Sequence, residues 1–279
     1  MSYCCASVEK IPLWSIKHAN GHVYLLGSIH LLKEKLDNYR EPIEKAFLES
    51  QILFVEAYIG SKNLLENAGK MMQAGSFTGD ERLSTFFSEE QYSKLDALVK
   101  DMGFNLNVYD HFRPWLLALT LSSMALMRQG YNPMLGVDLS FINKAEVRQM
   151  EIEELEGVDY QIHLFQKMSR EEEEAFLLST IAEYKSQEKV VDKLVAAWKE
   201  GDLETLEDIL TKSTKEERPE LKDFYRSLLQ SRNEKMAEKT EALLKEGKRC
   251  FIIVGVGHLI GESGLIELLR KKGHRVVLL

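Results

Sequence analysis

Two histidines stand in matched settings. Gly27-Ser28-Ile29-His30 follows the apolar run Val23-Tyr24-Leu25-Leu26, and Gly255-Val256-Gly257-His258 follows Cys250-Phe251-Ile252-Ile253-Val254. Runs this apolar suit strands buried on both faces, and the glycine lets the backbone turn so that the histidine emerges just past the strand's end. In open α/β sheets that edge is where ligands bind. Imidazole is a good ligand for Zn²⁺, Mn²⁺ or Co²⁺, and a carboxylate from a neighbouring strand end would fill a third position. Glu56, which closes the run Gln51-Ile52-Leu53-Phe54-Val55, is placed to be that carboxylate. His30, Glu56 and His258 therefore form a candidate metal set, drawn from distant segments with no HExxH-type local signature. Each also has a plainer reading, as a turn histidine bonded to a backbone carbonyl or a strand-end carboxylate facing water. The repeated context favours one shared site.

The elements that must position these residues are legible in outline. Asn20-Gly21 between two apolar runs signals a hairpin, so the first GxxH strand begins as one arm of an antiparallel pair. Residues 35–50 read as a helix with Ile43, Ala46 and Phe47 on one face, followed by the strand that ends at Glu56. A strand–helix–strand unit places its two strands parallel, with Glu56 at the same edge as His30. Residues 61–134 and 162–246 are helical and make a lobe, with a capping box at Ser88-Glu89-Glu90-Gln91 and a helix start at Arg113-Pro114-Trp115. Trp198, beside Ala197 and Leu194, reads as core of that lobe. Leu135-Gly136-Val137-Asp138 opens a further helix, where Asp138 reads as an N-cap or an acid–base group. Residues 148–152 are a strand candidate leading to Glu154-Leu155-Glu156-Gly157. The expectation is one α/β domain over 1–279. Its central mixed sheet comes from residues 10–60 and 247–279, with large helical insertions.

Composition excludes several classes. Thirty-six basic against 44 acidic residues give a net charge of −8, interspersed along helices, which disfavours nucleic-acid binding. No window approaches the ~20 apolar residues of a membrane span. Of three cysteines, Cys4 and Cys5 lie in a short N-terminal tail and Cys250 in a buried-strand pattern, so no disulfide framework is expected. That tail lacks the form of a signal peptide; a secreted or periplasmic place follows only if it is the remnant of a processed precursor. No GxSxG, Walker or GxGxxG motif occurs.

The ordered markers Leu25-Leu26-Gly27-Ser28-Ile29-His30, Val55-Glu56, Gly136-Val137-Asp138, Leu155-Glu156 with Gln161, Ala197-Trp198-Lys199-Glu200-Gly201-Asp202, Arg232-Asn233 and Gly255-Val256-Gly257-His258-Leu259-Ile260-Gly261 carry a likeness. Together they resemble the TraB/GumN family, which includes the pheromone-shutdown protein PrgY and the Tiki metalloproteases. The resemblance implies an α/β core related to the erythromycin-esterase and haem-binding ChaN-like folds. It also implies metal-dependent cleavage of a peptide, with manganese or cobalt favoured. His30 and His258 match the motif histidines and Glu56 the acidic residue. Ser28 stands where threonine is usual, and Gly157 where threonine commonly follows the Leu-Glu pair. On this reading His30, Glu56 and His258 hold the ion, and Asp138 or Glu156 accepts a proton. Arg232 holds a substrate carboxylate or oxyanion, while Ser28, Gln161 and Asn233 contact substrate. A non-catalytic protein that sequesters a peptide or haem-like ligand is the alternative, and oligomeric state is left open.

Overall fold

The computed structural model describes residues 12–36, 41–60, 62–215 and 219–279. The N-terminal tail with Cys4 and Cys5 lies outside them. Six strands are present: β1 (Leu13–His18), β2 (Gly21–Ser28), β3 (Ile52–Val55), β4 (Glu151–Glu154), β5 (Arg249–Gly255) and β6 (Val276–Leu278). They form one mixed sheet in the order β4-β3-β5-β2-β1-β6. The four strands β4, β3, β5 and β2 run parallel, while β1 is antiparallel to both β2 and β6. The sheet thus comes mainly from both chain ends, as expected.

Three details differ from the sequence reading. The hairpin turns on Ala19 and Asn20, because His18 pairs with Gly21, and Ala19 adopts φ +47°. Gly21 instead opens β2 where a Cβ would strike the Leu244 carbonyl, so its lack of a side chain serves packing. The strand–helix–strand unit is parallel, yet β5 intervenes between β2 and β3. The helix expected over 35–50 is described at Glu41–Glu49, with residues 37–40 outside the described set.

Helices cover both faces of the sheet, which is why β5 reads as a continuous apolar run. Phe251 and Ile253 join Leu26, Leu53, Val55, Phe47, Phe141 and Trp198 on one face; Cys250, Ile252 and Val254 join Leu25, Phe54, Met236 and Leu244 on the other. Each such side chain, fully buried, is worth about 1.5–3 kcal/mol relative to exposure. A third cluster, around Trp115, Leu117, Leu95 and Leu177, is the core of the helical lobe. Ser88 and Pro114 start lobe helices as expected, the first through a complete capping box and the second at the first helical position. Trp198 belongs to the sheet-side cluster and not to the lobe, because the 31-residue helix Arg170–Glu200 runs from one core to the other.

Candidate functional site

The four parallel strands end at one edge, and each releases a polar residue there. His30 follows β2, Glu56 follows β3, Glu156 follows β4 and His258 follows β5, where it rides on the short helix Val256–Leu259. The parallel register fixes their levels: Ser28 pairs with Gly255, and Val55 with both Ile253 and Glu154. Backbone bonds continue this alignment past the strands, since Glu156 and Gly157 N–H both donate to the Glu56 carbonyl, at 3.0 and 2.9 Å.

Glu56 is the hub. Its Oε1 accepts from the Gly255 N–H at 2.6 Å, and its Oε2 from Arg232 Nη2 at 2.5 Å and Gln161 Nε2 at 3.3 Å. His258 Nε2 stands 3.7 Å from the same Oε2. Burial pushes the Glu56 pKa up, but His258, His30, Arg232 and the Gly255 N–H outweigh it and bring it to about 2. Arg232, itself buried, also bonds Glu156 through Nε at 3.0 and 2.9 Å and Nη2 at 2.7 Å. A cavity of about 290 Å3 opens beside this hub, with Ser28, His30, Asp138, Gln161 and the apolar Val55, Ala57, Ile59, Pro133 and Ile253 in its wall.

Both imidazoles are tied at Nδ1. His30 Nδ1 lies 3.1 Å from Asp138 Oδ2, and His258 Nδ1 lies 2.6 Å from Asn233 Oδ1. The Asn233 amide nitrogen donates to the Ser263 carbonyl at 2.8 Å, so its oxygen must be the acceptor and His258 Nδ1 the donor. Burial pulls His258 down to about 4, with Arg232 and His30 reinforcing it against Glu56, so this ring is neutral at pH 7 and its Nε2 lone pair faces Glu56. Crowding of protein atoms around His30 also disfavours charge there, but the Asp138 charge and bond, with Glu56, raise it to about 9.

Glycines make the close approach possible. A Cβ on Gly255 would sit 3.2 Å from His30 Nε2 and 3.4 Å from Glu56 Oε1, so the two groups meet over this residue. Gly136, the N-cap of the helix Val137–Val147, packs against the His30 carbonyl where a Cβ would collide; Val137 N–H then donates to the Ile29 carbonyl at 2.9 Å. Asp138 is consequently inside the helix, aimed at His30, and does not cap it.

All nine residues singled out from the sequence converge here: Ser28, His30, Glu56, Asp138, Glu156, Gln161, Arg232, Asn233 and His258. Several surroundings differ from the expectation. Arg232 and Glu156 are engaged with each other, and Asn233 has both ends of its amide bonded within the protein. His258 is buried, while the His30 side chain is 60% exposed. The indole of Trp198, whose Nε1 donates to the Gly27 carbonyl at 2.7 Å, was not anticipated at the site. Its neighbourhood in a Trp-x-x-Gly-Asp helix end was the available signal.

Among the described residues, no three His, Cys, Asp or Glu side chains are arranged as a group that could hold a metal ion. The donor chemistry nevertheless fits one. Each histidine has Nδ1 fixed by an outer carbonyl or carboxylate, the arrangement that holds a ligating imidazole in place. Even with His30 charged beside Asp138, three carboxylates face one guanidinium and one imidazolium, so the cluster keeps an excess negative charge that a divalent cation would cancel. The third ligand would be Glu56, sharing its Oε2 side with Arg232.

A family model described as the TraB/PrgY/gumN family matches residues 12–277. The chain belongs to this family. Among TraB/PrgY/gumN relatives, the uncharacterised protein YbaP of Escherichia coli K12 is 23% identical, over 90% of this chain and 89% of its own length. An uncharacterised protein of Treponema pallidum is 22% identical, over 96% of this chain and 86% of its own. The metalloprotease TIKI1 of Danio rerio is 40% identical over 55 residues, which are 19% of this chain and 11% of that protein. No solved structure matches. No helix among the described residues is long and apolar enough to cross a membrane.

Proposed function

We propose that this TraB/PrgY/gumN protein is a metal-dependent peptide hydrolase. The reading rests on one observation: two histidines tied at Nδ1 meet one ionised glutamate at the ends of three parallel strands, beside a cavity. The partial likeness to the metalloprotease TIKI1 supports it. His30, Glu56 and His258 would hold the ion, with Mn²⁺, Co²⁺ or Zn²⁺ as the candidates; its chemistry there is Lewis acidity, which makes a water more acidic and polarises a carbonyl.

The chain's own residues then divide the work. Asn233 keeps His258 in the tautomer that turns Nε2 to the hub, and Asp138 orients His30. Arg232 offsets Glu56 and Glu156, which lie close enough to repel each other. Of the two candidate proton acceptors, Glu156 is bonded through both oxygens to Arg232, whereas Asp138 retains Oδ1 without a protein partner. Asp138 is therefore the better acid–base group. The Ser28 hydroxyl, buried and likewise unpartnered, stands in the cavity wall where a peptide N–H or C=O would reach it. Gln161, also in the cavity wall, donates to Glu56.

The test is metal content of the purified protein by mass spectrometry, followed by turnover of an unblocked peptide library with Mn²⁺, Co²⁺, Zn²⁺ or chelator. Turnover that chelator leaves unchanged would refute the metal's role. Binding of peptides or haem without turnover would favour sequestration. That second reading has one observation behind it, namely that Glu56 and Glu156 have both oxygens engaged.

A further inference from the structure

One helix holds the His30 loop from both sides. The helix Arg170–Glu200 buries Ala175, Leu177 and Ile181 in the lobe and Ala197 and Trp198 against the sheet. At about 1.5 Å per residue it spans roughly 45 Å. Near its sheet end, Trp198 Nε1 grips the Gly27 carbonyl at 2.7 Å, just ahead of Ser28 and His30. Further back, Asp192 Oδ1 accepts from the Tyr131 hydroxyl at 2.6 Å and pairs with Lys33 Nζ at 2.8 Å. Lys33 lies just beyond His30. Tyr131 precedes Asn132, whose backbone forms an isolated antiparallel bridge with Leu32. That bridge, with the Val137-to-Ile29 bond, joins the His30 loop to the segment carrying Gly136 and Asp138.

We infer that Trp198 and Asp192 are positioning residues, setting where His30 and Asp138 stand relative to Glu56. The inference rests on the hydrolase reading for its catalytic consequence only. The indole bond is buried and directional, so it fixes the approach of the loop; the Asp192 pair is half exposed, so it orients more than it stabilises. A misplacement on the order of 1 Å costs about 100-fold in rate.

The experiment compares Trp198→Phe and Asp192→Ala with wild type and with Leu95→Ala, a truncation in the lobe core on a different helix, Glu89–Asp101. Three quantities are read: the His30 imidazole 1H–13C NMR signals, thermal midpoint, and kcat and KM on the best peptide of the library. Trp198→Phe and Asp192→Ala should move the His30 signals, and Trp198→Phe should lower kcat by about tenfold or more with KM little changed. Leu95→Ala should lower the midpoint and leave the His30 signals in place. His30 signals unmoved in both helix variants overturn the inference, whatever happens to turnover. If Trp198→Phe does not fold, Asp192→Ala decides alone from its surface position. Should wild type turn over no peptide, the hydrolase reading fails and the NMR signals still decide positioning.

Discussion

Replacing Arg232 by methionine keeps a long apolar stem and removes the guanidinium from between two carboxylates. Arg232 makes three bonds to Glu156, one to Glu56 and one to the Leu228 carbonyl. The Glu156 side chain is 4% exposed and the Glu56 side chain 13%. Removing one partner of a buried ion pair costs about 3–5 kcal/mol, because the remaining charge stays out of water without compensation. Glu56 keeps the Gly255 N–H and Gln161, whereas the Glu156 carboxylate bonds only to Arg232 among the contacts described, so the loss falls mainly on Glu156. Adding Glu156→Met to Arg232→Met should therefore recover part of the stability, with a coupling of about 1–3 kcal/mol. Urea unfolding at pH 7, followed by two spectroscopic probes, measures both. The acid limb offers a second readout. The Glu56 pKa is lowered from 4.5 to about 2, so its contribution is complete above pH 4.5 and fades as pH falls towards 2. Arg232→Met should move acid unfolding to higher pH. A single variant within about 1 kcal/mol of wild type, or a double variant no better than the single, refutes this account of the buried charges.

His30→Ala and His258→Ala should each abolish Mn²⁺ or Co²⁺ uptake in calorimetry, and the double variant should show no further loss; two independent decrements would mean two sites. His258→Ala should in addition cost about 1–3 kcal/mol, since it leaves the buried Asn233 oxygen unpaired; an unchanged urea midpoint counts against that bond. Gly255→Ala has an allowed φ of −50°, so it should fold, yet its methyl crowds His30 and Glu56 and should lower peptide turnover. Retention of full turnover would show that nothing passes over this residue. The Cys250 thiol, raised to about 11 by burial, should resist iodoacetamide at pH 8 until denaturant is added, as read by peptide mass spectrometry.

The strand-to-turn edges were readable because both faces of the sheet are covered, which makes β2 and β5 nearly unbroken apolar runs ending in glycine. The motif residues were readable because each follows its strand by only one to three positions. Strand order was not, since nothing local in β3 or β2 records that β5 lies between them. Partnership within the site was also hidden. Whether Arg232 meets substrate or Glu156 depends on how the helix Gln230–Lys245 packs over the sheet, which motif spacing does not carry. Trp198 was misassigned for a related reason: the apolar pattern of one long helix does not reveal that it changes cores along its length.

The central place of β5 bears on how the protein is made. The ladders that hold β2 and β3 in one sheet both run through residues 249–255. A ribosome delivers those residues after both β2 and β3. Until they emerge, Glu56 lacks the Gly255 N–H, His258 does not exist, and the two halves of the edge have no common frame. Made after both of its neighbours in the sheet, β5 is the keystone that brings the two halves of the edge together. The same logic makes a cut between the helix ending at Lys245 and β5 a natural split point, with 247–279 supplied as a separate piece to switch assembly on.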